Sequence, residues 1–231
     1  MGDKKRSGWF YLFMGCGAVV LAGVIVVGVG AFMTIRWAKE MKDPELRTAK
    51  ALSVTKQVMG VEELPEGYHA EVSLRAPFGF GTILVLTDGP GLVDDNEEPK
   101  FEHLFIYLEG PGWDSDWKKF ARGGEPPFDN MDELNINIRN ADVIARGELV
   151  VGNMELAYLA HRGEFSTEGY TSDGVFSVIL VRCPEGDKRS RTIIWGGPKI
   201  EVEGRDNEVA GTPGDPDRIA EMMGHFQLCG A

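Results

Sequence analysis

The acidic run at residues 94–98 (DDNEE) is the densest group of side chains in this chain that could bind a cation. Carboxylate and amide oxygens are the ligands that Ca²⁺ prefers. An EF-hand loop would need glycine at its sixth position, where this run is followed by Pro99. Two hypotheses stay open, a looser Ca²⁺ loop and a solvated acidic loop, and no other cofactor is indicated. The candidate metal ligands are Asp94, Asp95, Glu97 and Glu98.

No pattern of a catalytic centre accompanies these acids. The four histidines are isolated from one another, without the His-x-x-x-His spacing of a zinc protease. Ser53 and Lys56 match the Ser-x-x-Lys of penicillin-binding enzymes, but the Lys-Thr-Gly that should accompany it does not occur. A nucleophile elbow of the form Gly-x-Ser-x-Gly and a phosphate-binding P-loop are also missing from the sequence. The sequence therefore predicts no catalytic residue.

Cys183 and Cys229 are the two cysteines that follow the long apolar run near the N-terminus. Cys183 ends the most apolar strand pattern, and Cys229 follows a terminal helix pattern that should pack on the sheet. We expect a disulfide between them, with two unrelated buried thiols as the alternative. Disulfides persist in oxidising compartments and are rare in the bacterial cytosol. The pairing would therefore favour a domain outside the cytoplasm.

Residues 9–35 form an uncharged apolar run of 27 residues, whereas about 20 helical residues span a bilayer core. Trp9, Tyr11 and Trp37 lie at its two ends, where aromatic side chains anchor membrane helices at the headgroup level. The sequence predicts an uncleaved signal anchor that contacts the lipid bilayer through residues 9–35. Small side chains recur every seven residues along it, so two interpretations stay open: a weak homodimer through the anchor helix, or glycine that is simply common in membrane helices. These small residues are Cys16, Gly23 and Gly30.

Three other interpretations of this run fit less well. A cleaved signal peptide has a shorter apolar region, of about 7–15 residues. A lipoprotein would acylate Cys16, but the residues before it fit a lipobox poorly and the apolar run continues well past it. A buried core helix rarely lacks charge over such a length.

The charge of the chain limits its partners. The net charge is −12, and residues 1–37 contain one acid against four bases, so the remainder carries −15. Such a domain repels the phosphates of nucleic acids and anionic lipids, so we expect no nucleic acid partner. Lysines and arginines flank both ends of the anchor, so the positive-inside rule does not decide its orientation.

Helix and strand patterns follow the anchor. A helix is predicted from the Asp43-Pro44 start to the stop at Gly60, and a second Asp-Pro pair at 215–216 begins a terminal helix with one apolar stripe. That stripe contains Ile219, Met222, Met223 and Phe226. A short helix is expected at 116–122. Strands are predicted at 70–75, 83–86, 103–108, 134–139, 148–151, 154–161, 175–183 and 191–195.

The order of these elements predicts an α+β chain, with one N-terminal transmembrane helix followed by a largely antiparallel sheet packed with N- and C-terminal helices. The expected parts are a basic tail (1–8), the transmembrane helix (9–37), a connecting helix (38–60) and an α+β domain (61–231). The strand at 70–75 alternates apolar and polar residues and should be half-buried, with Ala70, Val72 and Leu74 on one face. The strand at 175–183 is apolar on both faces and should be central.

Three segments, LPEGYHAEVSLRAPF, ELVVGNMELAYLAHRG and MMGHFQL, resemble parts of PsbP/Mog1-like α/β/α sandwich domains. The resemblance covers residues 60–228 in the order of elements, and no functional residue carries over. The layout is also similar to that of single-pass bacterial envelope proteins. It implies a membrane-anchored, non-enzymatic binding or assembly module with a protein partner. The alternatives are a membrane-tethered, metal-dependent hydrolase using the acidic loops, and an accessory subunit of a larger membrane complex.

Overall fold

The computed structural model describes residues 44–75, 81–89, 101–111, 114–124, 137–167, 170–183, 189–198 and 209–230. The chain divides into two compact units, Met1–Arg47 and Thr48–Ala231. The segment 9–37 lies outside the described residues, so the anchor stays a prediction, as do the bounds of the four expected parts of the chain. Within the described ranges, none of the helices has the length and apolar character needed to cross a bilayer.

The second unit contains a seven-stranded sheet in which every neighbouring pair is antiparallel. The strand order is β1-β2-β3-β7-β6-β5-β4. The strands are β1 (His69–Arg75), β2 (Thr82–Thr87), β3 (Leu104–Pro111), β4 (Asn137–Val151), β5 (Met154–Thr167), β6 (Tyr170–Arg182) and β7 (Arg189–Pro198). The described helices are α1 (Pro44–Met59), α2 (Asp114–Ala121) and α3 (Pro216–Gly224). The predicted α+β class with an antiparallel sheet is confirmed.

The two faces of the sheet are covered by different helices. The inner face carries Ile179 and Trp195, and it packs against α1 and α3 in the largest apolar cluster. The outer face carries Val178 and Leu180, and α2 packs on it through Phe120. Strand β6 is buried on both faces, which confirms its predicted central position.

Helix α3 forms for the reasons visible in its sequence. The carboxylate of Asp215 accepts a hydrogen bond from the backbone N–H of Asp217, and Pro216 occupies the first turn. The predicted apolar stripe is buried: Ile219, Met222, Met223 and Phe226 all lie in the inner cluster.

Strand β1 differs from its prediction. A bulge between Ala70 and Val72 shifts the register against β2 by one residue. Because successive side chains point to opposite faces, this shift leaves Ala70 on the inner face and turns Val72 and Leu74 to the outer face. The expectation that all three share one buried face is therefore wrong, and Leu74 is 40% exposed.

Strand β4 also differs, because it is one strand of 15 residues where the sequence indicates two short ones. Two irregularities against β5, between Arg139 and Asp142 and between Val143 and Ala145, interrupt the period-two alternation. The turn after it agrees with the prediction: Gly152 and Asn153 join β4 to β5, and Gly152 has φ of +60°. Helix α2 begins and ends slightly before the predicted 116–122.

Candidate functional site

The predicted Ca²⁺ ligands Asp94, Asp95, Glu97 and Glu98 lie outside the described residues, in the connection between β2 and β3. The anchor aromatics Trp9, Tyr11 and Trp37 also lie outside them. Both hypotheses therefore remain predictions. What the structure does describe are the two ends of the β2–β3 connection, at residues 88–89 and 101–103.

Asp88 holds these two ends together. Its Oδ1 accepts hydrogen bonds from the backbone N–H groups of Glu102 and His103, each at 2.8 Å. Its Oδ2 lies 2.7 Å from Nδ1 of the His103 ring. Asp88 immediately follows β2, and His103 immediately precedes β3. One carboxylate thus closes the base of the connection that carries the acidic run 94–98.

The electrostatics of this group favour an ionised Asp88. Partial burial raises the pKa of Asp88, but the hydrogen bonds from His103 and from the Glu102 N–H outweigh that effect. The net pKa of Asp88 is therefore below its ordinary value. The hydrogen bonds that join the two strand ends are strongest when the Asp88 carboxyl is ionised. Folding therefore favours the ionised form, and ionisation in turn stabilises the fold.

Asp88, Glu102 and His103 are also a group that could bind a metal ion, since one ligand atom from each lies within 4.8 Å of the others. Both Asp88 oxygens already have partners, and Glu102 is exposed. A cation would have to compete with the His103 ring for Asp88. In the present arrangement, Asp88 joins the two ends of the β2–β3 connection. The sequence analysis missed this contact because Asp88 and His103 are 15 positions apart. Their position at the two ends of the segment between two predicted strands was the available signal.

His161 lies on the outer face of β5, stacked on the ring of Phe176 with centroids 5.3 Å apart. Burial and the nearby charge of Arg146 lower its pKa, so the ring is neutral at pH 7. Within the described residues its Nδ1 has no hydrogen-bond partner. Among the described residues, no nucleophile and no carboxylate is paired with His161. The ring therefore packs on the sheet without the partners that a catalytic base needs.

The outer face is covered unevenly. Helix α2 buries the β5–β6 half, where Leu180 is 3% exposed. Burial then decreases along the cross-strand row toward the sheet edge, through Thr192, Leu108 and Ile83 to the exposed Leu74. A parallel row ends in the half-buried Val85 and Val72. These side chains form an apolar surface at the edge of the domain, which we call the outer β1–β3 surface. It consists of Val72, Leu74, Ile83, Val85 and Leu108.

Cys183 and Cys229 are joined by a disulfide, with their Cα atoms 5.3 Å apart. This distance is within the range that a disulfide requires. The bond connects the end of β6 to the segment that follows α3. Asn153 of the β4–β5 turn adds a hydrogen bond from its Nδ2 to the Cys229 carbonyl, at 3.2 Å. The segment after α3 is thus fixed to two places on the sheet.

A buried polar network lies beside this disulfide. Nη1 of Arg191 donates to Cys183 Sγ at 3.2 Å, and its Nε lies 3.4 Å from Oε2 of Glu109. The same Oε2 accepts a hydrogen bond from the Tyr107 hydroxyl at 2.8 Å. Burial and the Glu109 charge raise the pKa of Tyr107, so its hydroxyl stays protonated and acts as a donor. The Arg191 side chain is only 1% exposed.

The sequence did not identify this network. Glu109 directly follows an apolar stretch on β3, and Arg191 lies just before one on β7. Only the fold makes these two strands neighbours, and the two residues then form a cross-strand pair. Opposite charges at such positions were the only signal available.

Comparisons of this chain with protein-family models, with curated proteins and with solved structures found no match. The likeness to PsbP/Mog1-like domains therefore stays a prediction.

Proposed function

We propose that this chain is a membrane-anchored, non-enzymatic binding or assembly module of the bacterial envelope, with its α+β domain outside the cytoplasm. We infer further that a partner protein contacts the outer β1–β3 surface. The observation that supports this contact is the 40% exposure of Leu74, which ends an apolar cross-strand row that begins at Leu108 and continues through Ile83. Apolar surface that a monomer leaves exposed in one patch is typical of interaction sites.

The cause of this exposure supports an interaction role. The bulge in β1 turns Val72 and Leu74 away from the inner core, where alternation alone would have placed them beside Ala70. Fully burying one such side chain contributes about 1.5–3 kcal/mol. Leu74 is 40% exposed, so a partner that covers it and its half-buried neighbours would recover only the remaining part of this energy for each side chain.

The envelope location has two supports. Residues 9–35 are long and apolar enough for a membrane span. The Cys183–Cys229 disulfide is a bond of oxidising compartments. Deletion of residues 1–37 should release the domain from the membrane fraction. A mature protein whose N-terminus lies beyond residue 30 would contradict an uncleaved anchor.

The contact surface is tested by photo-crosslinking in native membranes, with the probe at position 74 or at position 150. Val150 is the matched control, because it is also an exposed apolar side chain of an edge strand (76% exposed) but lies outside the outer β1–β3 surface. We expect a discrete adduct from position 74 and none from position 150. Leu74→Asp should abolish co-purification of the cross-linked protein, and Val150→Asp should not. Equal adducts from both positions, or none from position 74, would contradict the proposal.

A metal-dependent hydrolase remains the alternative, and the Asp88, Glu102 and His103 group favours it, because it lies at the base of the acidic connection. Calorimetric titration of the full chain with Ca²⁺ and Zn²⁺ distinguishes the two functions. Binding that is lost in Asp88→Asn, together with a hydrolytic turnover that follows it, would replace the binding module by the hydrolase. An accessory subunit of a membrane complex would instead be identified when the position-74 adduct is itself a multisubunit membrane protein.

A further inference from the structure

The disulfide lies beside a buried cation, and this contact does not involve the outer β1–β3 surface. Cys183 follows β6 directly, and Arg191 lies on the neighbouring strand β7. The Arg191 guanidinium donates to the Cys183 sulfur at 3.2 Å from a side chain that is 1% exposed. A disulfide sulfur carries no charge and gains little from a buried cation. A thiolate gains much more, because charge-assisted hydrogen bonds are about twice as strong as neutral ones.

The Glu109 carboxylate partly offsets the positive charge of Arg191, but it also contacts two other groups. Its Oε2 contacts Arg191 Nε at 3.4 Å and Tyr107, and its Oε1 lies 3.2 Å from Arg189 Nη1. One carboxylate therefore serves two guanidinium groups and a hydroxyl. Among the described residues, the charged and titratable groups of this network around Cys183 are thus Arg191, Glu109, Tyr107 and Arg189.

We propose that the Cys183–Cys229 disulfide is a thiol–disulfide exchange site whose reduced form Arg191 stabilises, and that its reactant is a small thiol or dithiol. Cys229 is only 5% exposed, so the segment after α3 must open locally before the reactant thiolate attacks the Cys229 sulfur. The sulfur–sulfur bond then breaks, and its electron pair goes to Cys183, which leaves as a thiolate beside Arg191. The better-stabilised thiolate is the better leaving group.

A second reactant thiolate then attacks the reactant's own sulfur in the mixed disulfide. This step releases Cys229 as a thiolate, which takes a proton. Two reactant thiols are oxidised to one disulfide, while the protein disulfide is reduced to the Cys183 thiolate and the Cys229 thiol. Of the two protons that the reactant thiols lose, one goes to Cys229 and one to solvent.

Reduction has a defined structural consequence. The segment after α3 would keep two described polar contacts to the rest of the domain, the Gln227 N–H to the Met59 carbonyl at 2.8 Å and Asn153 to the Cys229 carbonyl. Phe226 and Leu228 would still hold it through apolar packing. Exchange would thus loosen the connection between this segment and the end of β6 without removing the core of α3.

The experiment measures the ratio of reduced to oxidised protein in defined mixtures of reduced and oxidised dithiothreitol. It uses the full chain in detergent, with Cys16→Ala so that only two thiols count, and alkylation shifts on gels report the ratio. Arg191→Met removes the cation and should lower the ratio about tenfold. Glu109→Gln removes the competing carboxylate and should raise it about tenfold. A tenfold change corresponds to about 30 mV for this two-electron couple.

These two variants break the same ion pair, so a merely structural role would shift both ratios in the same direction. Glu155→Gln is the matched control, because it breaks the Arg182–Glu155 pair at the end of β6 on the opposite face. It should leave the ratio unchanged. As a second readout, the alkylation rate of the reduced protein is measured as the pH is lowered. The rate should fall at a lower pH in the parent than in Arg191→Met, because Arg191 keeps Cys183 in its thiolate form.

Opposite shifts for Arg191→Met and Glu109→Gln support the proposal. Shifts in one direction, changes under twofold, or a disulfide that dithiothreitol reduces only in urea would overturn it. If Arg191→Met does not fold, the reduced-to-oxidised ratio of Glu109→Gln is compared with the ratios of two other variants, Glu155→Gln and Arg191→Lys. Arg191→Lys keeps the positive charge beside Cys183. A ratio for Glu109→Gln that does not exceed both would then overturn the proposal.

Discussion

Loss of the Cys183–Cys229 bond should destabilise the domain by about 4 kcal/mol. The bond closes a loop with a sequence separation of 46 residues. In the chain-entropy account, a 15-residue loop contributes about 3 kcal/mol and a 100-residue loop about 4.7 kcal/mol, so this loop falls between them. Single domains are stable by about 5–15 kcal/mol, and the bond would therefore supply a quarter or more of the total.

The assay is urea unfolding of the full chain in detergent, followed by tryptophan fluorescence. With a slope of about 2 kcal/mol per molar urea, the double variant Cys183→Ala/Cys229→Ala should unfold at about 2 M less urea than the parent. Cys16→Ala is the matched control and should leave the midpoint unchanged. Reduced parent protein should match the double variant, because both lack the same constraint on the unfolded chain.

A difference under about 0.5 M between the parent and the double variant would refute this reasoning. It would mean that the hydrogen bonds of Asn153 and Gln227 and the burial of Phe226 already constrain the segment after α3. A large difference that persists when the parent is reduced would refute it differently. The loss would then come from the alanine side chains and not from the cross-link.

Three further predictions follow from particular residues. Folding lowers the pKa of Asp88, so the ionised carboxylate stabilises the fold above about pH 4, and this contribution is lost as the pH falls through the folded-state pKa. Asp88→Asn should lower the free energy of unfolding by about 1–3 kcal/mol at pH 7. In acid titrations, the variant should lose less stability than the parent as the pH falls. Gly174→Ala should cost about 3 kcal/mol in the same urea assay, because the added Cβ would meet a backbone carbonyl of β7, whereas Gly224→Ala should be tolerated, since nothing lies within 4 Å of its added Cβ. Replacing Gly23 and Gly30 with Leu should lower dimerisation in a membrane reporter assay, and no change would reject self-association of the anchor.

Local patterns made much of the fold predictable. Helix α3 could be read from Asp215, Pro216 and its apolar stripe, because capping and helical periodicity depend on neighbours in sequence. The central position of β6 was readable because a strand that is apolar on both faces must be covered on both faces. The turn at Gly152 and Asn153 followed from residues that tolerate positive φ.

Irregular pairing was not predictable in the same way. The bulges in β1 and β4 depend on how each strand meets its partner, and a shift of one residue reverses every side chain that follows. The sequence thus indicated that Leu74 is apolar and lies on a strand, but the bulge decided that it faces outward.

By itself, the sequence determined the long apolar run, the acidic charge, the α+β class and the absence of familiar catalytic motifs, because these properties belong to composition and to short-range periodicity. Only the tertiary structure brought Asp88 to His103 and Arg191 to Glu109 and Cys183, since each contact depends on how different strands pair and in which register. Side-chain chemistry of this kind depends on distances of a few ångströms. Such distances are decided by strand order and register, which no local pattern encodes.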